Sequence, residues 1–273
     1  GAAIAGADPL ADIDTRISAQ RADDVCCFIY TSGTGGRPKG VMLTHRSVQA
    51  NITAAIELLR EGNVVDNQRF LSLLPLSHSY EHTAGMHLPF QIKAEVWYCE
   101  STDQIANNLV EVSPTLMTAV PRLYEVLHDR IMRGVRAKGG ISEKLFMAAV
   151  KLGTKRYEGR RLLPHEVFIN LLVDRLVRTK VRQRLGGKLN FFISGGAALN
   201  PEIGNFFMAL GINLLQGYGQ TESSPLISAN RPNRIKIETV GPVVAGVDMR
   251  IADDGEILVR GDLLMKGYWR DEA

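Results

Sequence analysis

The feature that most constrains the fold is an alternation of short apolar strands with amphipathic helices, separated by glycine- or proline-containing turns. Residues 25–30 are apolar, β-branched or aromatic, and they predict a buried strand. Thr44 is a typical helix-capping residue, and the helix predicted over 45–60 places Val48, Ile52 and Leu59 on one face. Further strands are predicted at 69–74, 94–99, 115–120, 189–194 and 212–216, and further helices near residues 78, 105 and 201. This order predicts an α/β fold, with parallel or mixed sheets and helices on their faces.

Residues 122–188 differ from the rest of the chain because they are mostly helical and strongly basic. They contain 17 Lys and Arg residues against 6 Asp and Glu, although the net charge of the whole chain is only +3. Within 167–185, apolar residues recur every three or four positions among arginines, which predicts an amphipathic basic helix. Such a helix packs on its own domain, binds an anionic ligand or contacts a membrane surface, and the sequence leaves these alternatives open.

The two ends of the chain have simpler compositions. Residues 1–20 are mostly small and polar, and they predict a linker or the end of an upstream segment. No apolar run approaches the length that spans a bilayer. After Pro232 the sequence favours β structure, with a hairpin turn at Asp254 and Gly255.

The cysteine pattern argues against a disulfide framework. Cys26 and Cys27 are neighbours in an apolar run, Cys99 stands alone, and no CxxC spacing occurs. We therefore predict three buried, reduced thiols in a cytoplasmic protein. Because of the basic helices, association with the inner face of the membrane is a further expectation.

A ten-residue segment at 31–40, TSGTGGRPKG, concentrates groups that bind phosphate. Its glycines let backbone N–H groups approach a phosphate, and its hydroxyls and lysine add further donors. The spacing is not that of a P-loop, in which Gly-Lys is followed by Ser or Thr at the start of a helix. Here Pro38 precedes Lys39 and disfavours helix at Arg37, so the segment is predicted to connect two extended stretches.

Two later segments place small and polar residues directly after predicted strands, where α/β folds bind their ligands. The segment GYGQTESSP at 217–225 contains a single carboxylate, Glu222, and carboxylate oxygens are ligands that Mg²⁺ prefers. The segment SGGAALNP at 194–201 is a turn of small residues before a helix.

A fourth segment, LPLSHSYEH at 74–82, contains three polar residues that carry acid–base or ligand chemistry. His78 and Glu81 are candidate site residues, although a single histidine is more often a core or surface residue. His82 and the nearby His87 raise the alternative of a catalytic metal site, which nothing else in the sequence supports.

Taken together, TSGTGGRPKG, the GGA turn and GYGQTE resemble the acyl-adenylate-forming, or AMP-binding, superfamily. The chain is most similar to bacterial long-chain fatty acid–CoA ligases, because it has a long helical insert that begins at VPRLYE (120–125). One position departs from the pattern, since Gly36 stands where the superfamily usually has threonine.

The resemblance implies roles for individual residues. Tyr218 would stack on adenine, Thr221 would contact phosphate, and Glu222 with Thr31 would hold Mg²⁺. The implied catalytic residues are Thr31, Lys39, His78 and Glu222. The implied nucleotide-binding residues are Thr31, Ser32, Gly33, Thr34, Gly35, Lys39, Gly195, Gly196, Ala197, Gly217, Tyr218, Gly219 and Thr221.

The resemblance also implies a domain organisation. Residues 21–273 would form part of an adenylation domain, with an α/β core at 21–230 and the beginning of a β-rich subdomain at 231–273. The superfamily's small C-terminal domain is expected to be absent from this chain. In the β-rich part, core packing is predicted for Ile257, Val259, Tyr268 and Trp269. Apolar residues at 86–92 and 116–120 would pack in the core or line an acyl pocket.

The implied activity uses ATP, Mg²⁺ and coenzyme A. A long-chain fatty acid would be activated to its acyl-adenylate and then transferred to coenzyme A as a thioester. The first alternative is adenylation of another carboxylate, such as a short-chain, aryl or amino acid. The second is nucleotide binding without turnover, and the third is a peripheral membrane role of the basic helices.

Overall fold

A six-stranded sheet organises the chain in the computed structural model, which describes residues 9–32 and 37–271. The strands are β1 (Val25–Thr31), β2 (Lys39–Thr44), β3 (Arg69–Ser72), β4 (Glu95–Tyr98), β5 (Leu116–Ala119), β6 (Phe191–Ser194), β7 (Asn213–Gly219), β8 (Leu226–Ala229), β9 (Asp248–Ile251), β10 (Ile257–Arg260) and β11 (Gly267–Tyr268). In the main sheet the order is β4-β3-β5-β6-β7-β8. The first five strands run parallel and β8 is antiparallel to β7, which confirms the predicted α/β fold.

Helices cover both faces of the main sheet. The helices of the described residues are α1 (Pro9–Ala19), α2 (His45–Glu61), α3 (Ser79–Glu81), α4 (Leu88–Gln91), α5 (Ile105–Val112), α6 (Pro121–Lys138), α7 (Gly140–Tyr157), α8 (Pro164–Val173), α9 (Thr179–Arg184) and α10 (Pro201–Ala209), of which α1 is exposed. Two π-helical segments, His82–His87 and Asp174–Arg178, join α3 to α4 and α8 to α9. No helix of the described residues is long and apolar enough to cross a membrane.

Alternate residues of the buried strands supply two separate cores, one on each side of the sheet. On the side of α6, α7 and α10, the core surrounds Tyr124, Phe192 and Phe207. On the side of α2, the core contains Leu59, Phe70 and other apolar residues of the strands. Because the central parallel strands are buried on both faces, most of their residues are apolar, as the sequence predicts.

Helix α2 begins as its sequence predicts. The Thr44 hydroxyl accepts a hydrogen bond from the Ser47 backbone N–H at 3.1 Å, and the Ser47 hydroxyl accepts one from the Thr44 N–H at 3.0 Å. This reciprocal capping box fixes the point at which β2 becomes α2.

The segment predicted to be a linker contains a helix, α1. Asp12 and Arg16 form an i,i+4 ion pair at 2.9 Å on this helix, and both side chains are exposed. Opposite charges at this spacing stabilise a helix by a few tenths of a kcal/mol. The sequence analysis overlooked this i,i+4 pair because the beginning of the chain is rich in small residues.

Within the basic segment, Arg178 is a structural residue, because it is buried between three helices. Its guanidinium donates to the backbone carbonyls of Ala209 and Ala149 at 3.0 and 2.7 Å, and to the Asn170 side chain at 2.9 Å. Burial lowers the pKa of this arginine, and the nearby Asp174 partly offsets that effect. Arg178 therefore ties α7, α8 and α10 together and adds little to the basic surface.

Candidate nucleotide-binding site

The four predicted segments meet around one cavity of about 630 Å³. It lies at the carboxyl ends of β3, β6 and β7, where parallel sheets bind ligands. Of the residues predicted to form a site, the cavity is lined by Thr31, Ser32, Lys39, His78, Gly195, Gly196, Gly217, Tyr218, Gly219, Thr221 and Glu222.

Four of the predicted residues are not placed there. Ala197 is exposed and does not line the cavity, because the turn after Gly196 leads away towards α10. Gly33, Thr34 and Gly35 lie outside the described residues, so their predicted contact with phosphate stays a prediction.

The first segment forms the end of a β-hairpin. Strands β1 and β2 pair antiparallel, with Thr31 opposite Lys39 and Tyr30 opposite Gly40. The segment at 31–40 thus connects two extended strands, as Pro38 predicts, and Lys39 and Gly40 lie in a strand, not at the start of a helix. The pairing places Thr31 and Lys39 side by side at the cavity.

The second segment continues its strand further than predicted. Gly217, Tyr218 and Gly219 belong to β7 and pair with β8, whereas the sequence predicted a turn directly after the apolar residues. The strand persists because β8 supplies a hydrogen-bonding partner for these residues. The turn comes later, at 220–225, and presents Thr221 and Glu222 to the cavity.

Tyr268 of β11 is partly buried and packs against the core on the side of α2, as predicted, but it also lines the cavity, which the sequence analysis did not predict. Its hydroxyl donates to Glu222 Oε1 at 2.9 Å, and Lys39 Nζ lies 4.6 Å from the centre of its ring. Burial raises the pKa of Tyr268, and the hydrogen bond to Glu222 raises it further. Lys39 Nζ also lies 3.2 Å from Asp271 Oδ2. Tyr268 and Asp271, which are three residues apart in the chain, thus together contact Lys39 and Glu222.

The other core predictions for this region have mixed outcomes. Ile257 and Trp269 are 42% and 47% exposed, so core packing is wrong for both, while Val259 is half-buried. Trp269 instead stacks edge-on against Phe28 on the outer surface of the hairpin, with ring centres 5.3 Å apart.

Glu222 is suited to hold a hard cation. Tyr268 orients one of its carboxylate oxygens, and within the described part of the chain the other oxygen, Oε2, has no hydrogen-bond or ion-pair partner. The hydroxyl-bearing Thr31 and Thr221 line the same cavity. A carboxylate with nearby hydroxyl oxygens is the kind of donor set that Mg²⁺ accepts while keeping several of its waters.

Asn51 of α2, which the sequence analysis missed, anchors the turn at 220–225. The Asn51 amide donates to the carbonyls of Ser223 and Leu226 at 3.2 and 2.9 Å, and its oxygen accepts from the Leu226 N–H at 3.2 Å. The side chain is buried. An asparagine between Val48 and Ile52 on the apolar face of α2 was the signal in the sequence.

The helical stretch after β3 holds the same turn from a second direction. The Thr83 hydroxyl donates to the Ser224 carbonyl at 2.9 Å, and the hydroxyls of Ser79 and Thr221 lie 3.1 Å apart. The turn that carries Glu222 is therefore fixed by side chains from α2 and from residues 79–87.

His78 and Tyr80 connect that stretch to the GGA turn. His78 Nδ1 accepts from the Tyr80 N–H at 3.2 Å and caps α3, while the imidazole stays exposed at the cavity. The Tyr80 hydroxyl donates to the Ile193 carbonyl at 2.8 Å, and its ring lies directly beside Gly195. The position of Gly195 thus depends on Tyr80.

Glu81 lies beneath the site in the protein interior and does not line the cavity. It accepts hydrogen bonds from the Ser72 hydroxyl at 2.5 Å and from the Thr118 hydroxyl at 2.9 Å. Burial raises the pKa of Glu81, and these two hydrogen bonds only partly oppose that shift. Glu81 joins the ends of β3 and β5 to α3, which makes it a structural residue.

The raised pKa of Glu81 predicts a pH dependence of stability. Above the ordinary glutamate pKa of 4.5 the folded chain retains a proton that the unfolded chain loses, so the free energy of unfolding falls as pH rises. Glu81→Gln removes this effect. We expect the unfolding free energy of the variant minus that of the wild type, from urea titrations, to increase between pH 5 and pH 8.

A matched control is Glu95→Gln, because Arg69 lowers the pKa of Glu95 at the exposed end of β4. The stabilisation by ionised Glu95 is lost only below the ordinary glutamate pKa. The difference in unfolding free energy between Glu95→Gln and the wild type should therefore stay constant from pH 5 to pH 8. A constant difference for Glu81→Gln as well would show that Glu81 does not retain its proton.

Gly219 is required by a close backbone approach. A Cβ atom at this position would lie 1.7 Å from the Pro225 carbonyl oxygen. We expect Gly219→Ala to displace the turn that carries Glu222, to weaken ATP binding in calorimetry by about tenfold or more, and to cost about 1–3 kcal/mol in unfolding free energy.

The control for Gly219 is Gly134→Ala in α6, where a Cβ would have no atom within 4 Å. This change should leave ATP binding unaltered and stabilise the helix by up to about 1 kcal/mol. Wild-type ATP affinity in Gly219→Ala would show that the turn does not position the nucleotide.

A larger cavity of about 980 Å³ follows another face of α2 and is lined by none of the predicted site residues. Its wall includes His82 and His87, whose Nε2 atoms lie 3.2 Å apart, and Cys27, whose Sγ lies 3.6 Å from His82 Nε2. Burial lowers the pKa of both histidines. The described residues contain no group of three or more His, Cys, Asp or Glu arranged to hold a metal ion.

The cysteines are free, but the prediction that all three are buried is wrong. Cys26 is exposed, and Cys27 and Cys99 are half-buried. A bulge at the start of β1 brings the Cys26 and Cys27 sulfur atoms to within 3.9 Å of each other. The sequence could not show this irregularity, which turns Cys26 away from the core.

A cavity at the end of a parallel sheet, lined by the hydroxyls of Thr31 and Ser32, by a tyrosine and by a carboxylate, is typical of nucleotide-binding α/β proteins. The AMP-binding enzyme family matches residues 4–269, and the chain belongs to that family. The match includes most of the segment predicted to be a linker.

Two curated relatives illustrate the similarity. The long-chain-fatty-acid–CoA ligase FadD15 of Mycobacterium bovis is 36% identical over 98% of this chain and 44% of its own length. The peroxisomal long chain acyl-CoA synthetase 6 of Arabidopsis thaliana is 31% identical over 94% of this chain and 38% of its own length. The chain thus spans less than half the length of these relatives.

Solved structures support the fold. The apo structure of MatB from Rhodopseudomonas palustris superimposes with a TM-score of 0.64 and 22% sequence identity, over 92% of this chain and 42% of that protein. At this level of identity the likeness concerns the fold alone.

Proposed function

We propose that the protein containing these 273 residues is an ATP-dependent acid–CoA ligase that activates long-chain fatty acids through acyl-adenylates. The observation that carries the proposal is the meeting of Thr31, Lys39, Tyr218, Thr221 and Glu222 around one cavity in a chain of the AMP-binding enzyme family. The relatives named as long-chain ligases support the choice of substrate.

In this proposal the nucleotide occupies the cavity between the GGA turn and β7. Tyr218 is half-buried and lines the cavity together with Gly195 and Gly196, so adenine can lie between an aromatic ring and an exposed backbone. The hairpin loop, with Thr31 and Lys39 at its ends, offers hydroxyl, backbone and ammonium donors to the phosphates.

Mg²⁺ would be held by Glu222, with Thr31 nearby, since these residues supply the hard oxygen donors described above. When bound, the ion offsets the negative charge of the triphosphate. The chain contributes the orientation of Glu222, because Tyr268 binds one carboxylate oxygen and leaves the other open.

The first reaction joins a carboxylate oxygen of the fatty acid to the α-phosphorus of ATP and breaks the bond from that phosphorus to pyrophosphate. In the second, the thiol of coenzyme A loses its proton, its sulfur bonds to the acyl carbon, and AMP leaves. The residues of the cavity act mainly by positioning the two anions and stabilising charge. In this proposal His78, which lines the cavity, contacts the carboxylate of the fatty acid.

The apolar part of the cavity is suited to an acyl chain. Its wall is formed by Ala55, Leu58 and Leu59 of α2 together with Ala84 and Leu88. Each buried CH₂ contributes about 0.8 kcal/mol, so a longer acyl chain gains affinity until the apolar wall ends. Of the residues expected to pack in the core or line an acyl pocket, Leu88 lines this cavity, whereas Leu116, Met117 and Ala119 are fully buried in the core.

Pyrophosphate release tests this function. The full-length protein would be given ATP, Mg²⁺ and carboxylates from acetate to palmitate, with and without coenzyme A. We expect release to be greatest with long chains and thioester to form only when coenzyme A is present. Preferred release with aryl, short-chain or amino acids would overturn the substrate class, and ATP binding without release for any acid would indicate a binding module.

Lys39→Ala should reduce kcat/KM for ATP by between about ten- and a hundredfold, the range of one charge-assisted hydrogen bond. The loss is limited because the backbone donors of the hairpin loop remain. Lys151→Ala, at an exposed position of α7, serves as the matched control. Complete loss of activity in Lys39→Ala would mean that its charge, and not the loop backbone, dominates phosphate binding.

A further inference from the structure

A second ligand-sized groove lies within the basic helices, away from the nucleotide cavity. It has a volume of about 340 Å³, within the range of small-molecule sites, and is formed by α6, α7 and the run from α8 to α9. None of its lining residues lines the nucleotide cavity. Its floor is apolar and includes Leu127, Ile131, Val135, Phe146, Val177 and Val181.

All charged residues that line this groove are cations. Arg130, Lys138, Lys180 and Arg184 line it, and no Asp or Glu does. Within the described part of the chain, none of these four side chains has an ion-pair or hydrogen-bond partner. Four cations around one small groove repel each other unless an anion joins them.

Some other cations of the same helices are paired. Lys155 lies 2.5 Å from Glu166, and Arg182 lies 3.5 Å from Asp174. Further cations outside the groove, such as Arg136 and Lys151, have no ion pair within the described residues either. What distinguishes the groove is that four such cations line one apolar cavity.

The apolar surface extends outward from the floor along the helix. Leu176 lines the groove and is 39% exposed, and Phe168 and Leu171 of α8 are 72% and 66% exposed. An acyl chain that is too long for the groove can thus continue over apolar surface. A small polar anion would leave both surfaces exposed to water.

We propose that this groove binds a single-chain amphiphile whose headgroup is a phosphate monoester. The chain would lie on the apolar floor and the headgroup would be held by the four cations. A phosphate monoester fits better than a carboxylate because it carries up to two negative charges and three acceptor oxygens for several Lys and Arg donors. The site is separate from the proposed ligase activity and does not depend on it.

Calorimetry with dodecyl phosphate below its critical micelle concentration tests the site. We expect binding by the wild-type protein, and no binding of dodecyltrimethylammonium or inorganic phosphate, each of which lacks one half of the ligand. Lys180→Glu combined with Arg184→Glu should weaken binding at least tenfold, since both side chains are exposed and their replacement spares the fold. The matched control is Arg133→Glu with Arg136→Glu, two exposed cations of α6 outside the groove.

Saturating Mg·ATP should leave the binding of dodecyl phosphate unchanged, because the two cavities share no residue. Three results would overturn the proposal: no binding by the wild type, equal binding by the groove and control variants, or loss of binding on addition of ATP. Binding to phosphatidylglycerol-containing vesicles without binding of monomeric dodecyl phosphate would also overturn it, since the basic helices would then recognise a bilayer surface.

Discussion

Replacing Glu222 with glutamine is expected to reduce ATP-dependent pyrophosphate release by the full-length protein by about 10²-fold or more, as loss of one preorganised charge-stabilising group typically does. Glu222 is the carboxylate of the turn at 220–225, and its Oε2 has no partner within the described part of the chain. Glutamine keeps the size of the side chain and an oxygen for the Tyr268 hydroxyl. The expected loss therefore reports the missing negative charge.

Two further variants make the Glu222 result specific. Tyr268→Phe removes only the hydrogen bond that orients Glu222 and should cause a smaller loss, because the carboxylate remains. Glu202→Gln, at an exposed position in the first turn of α10, should leave activity unchanged. Both enzymes would be assayed at the same Mg²⁺ concentration, so that extra Mg²⁺ does not restore the activity of Glu222→Gln. Activity of this variant close to that of the wild type would contradict the assignment of Glu222 as the Mg²⁺-binding residue.

Replacing Asn51 with leucine is expected to destabilise the chain by about 3 kcal/mol or more, measured by urea unfolding. The change removes the three hydrogen bonds of the buried Asn51 side chain. The carbonyls of Ser223 and Leu226 and the N–H group of Leu226 then lose this partner. Each buried group left unpaired costs about 1–3 kcal/mol. That is a large part of the stability of an ordinary domain.

Gln49→Leu is the matched control on the same helix, because Gln49 is exposed and its amide donates to the nearby Thr53 hydroxyl at 3.4 Å. Its unfolding free energy should lie within about 0.5 kcal/mol of the wild type. The Asn51 variant should also lose ATP affinity, since the turn that it anchors carries Thr221 and Glu222. A change of less than 1 kcal/mol on replacing Asn51 would mean that the turn is held by other contacts.

The fold follows from the sequence to a large degree because its signals are local. The apolar strands, the Thr44 cap and the glycines and prolines that separate elements each specify nearby backbone conformation, and the structure confirms the α/β architecture they predict. The loop predicted to bind phosphate is likewise contained in one short segment. Its placement between two strands follows from Pro38 alone.

The parts that the sequence did not predict depend on contacts between distant residues. Tyr268 reaches Glu222 because β11 pairs with β2, with Tyr268 opposite Val41, and no local pattern indicates that register. The extension of β7 through Gly219 depends on β8 in the same way. Asn51 could have been found, since a polar residue on an apolar helix face needs a buried partner.

The most direct test of the central claim is a crystal structure of the full-length protein with a non-hydrolysable palmitoyl-adenylate analogue. We expect the adenine against Tyr218 and the Gly195–Gly196 turn, the phosphate near Thr221, and the acyl chain along Leu58, Leu59 and Leu88. An analogue bound in the larger cavity beside His82 and His87, or with its adenine away from Tyr218, would contradict the account.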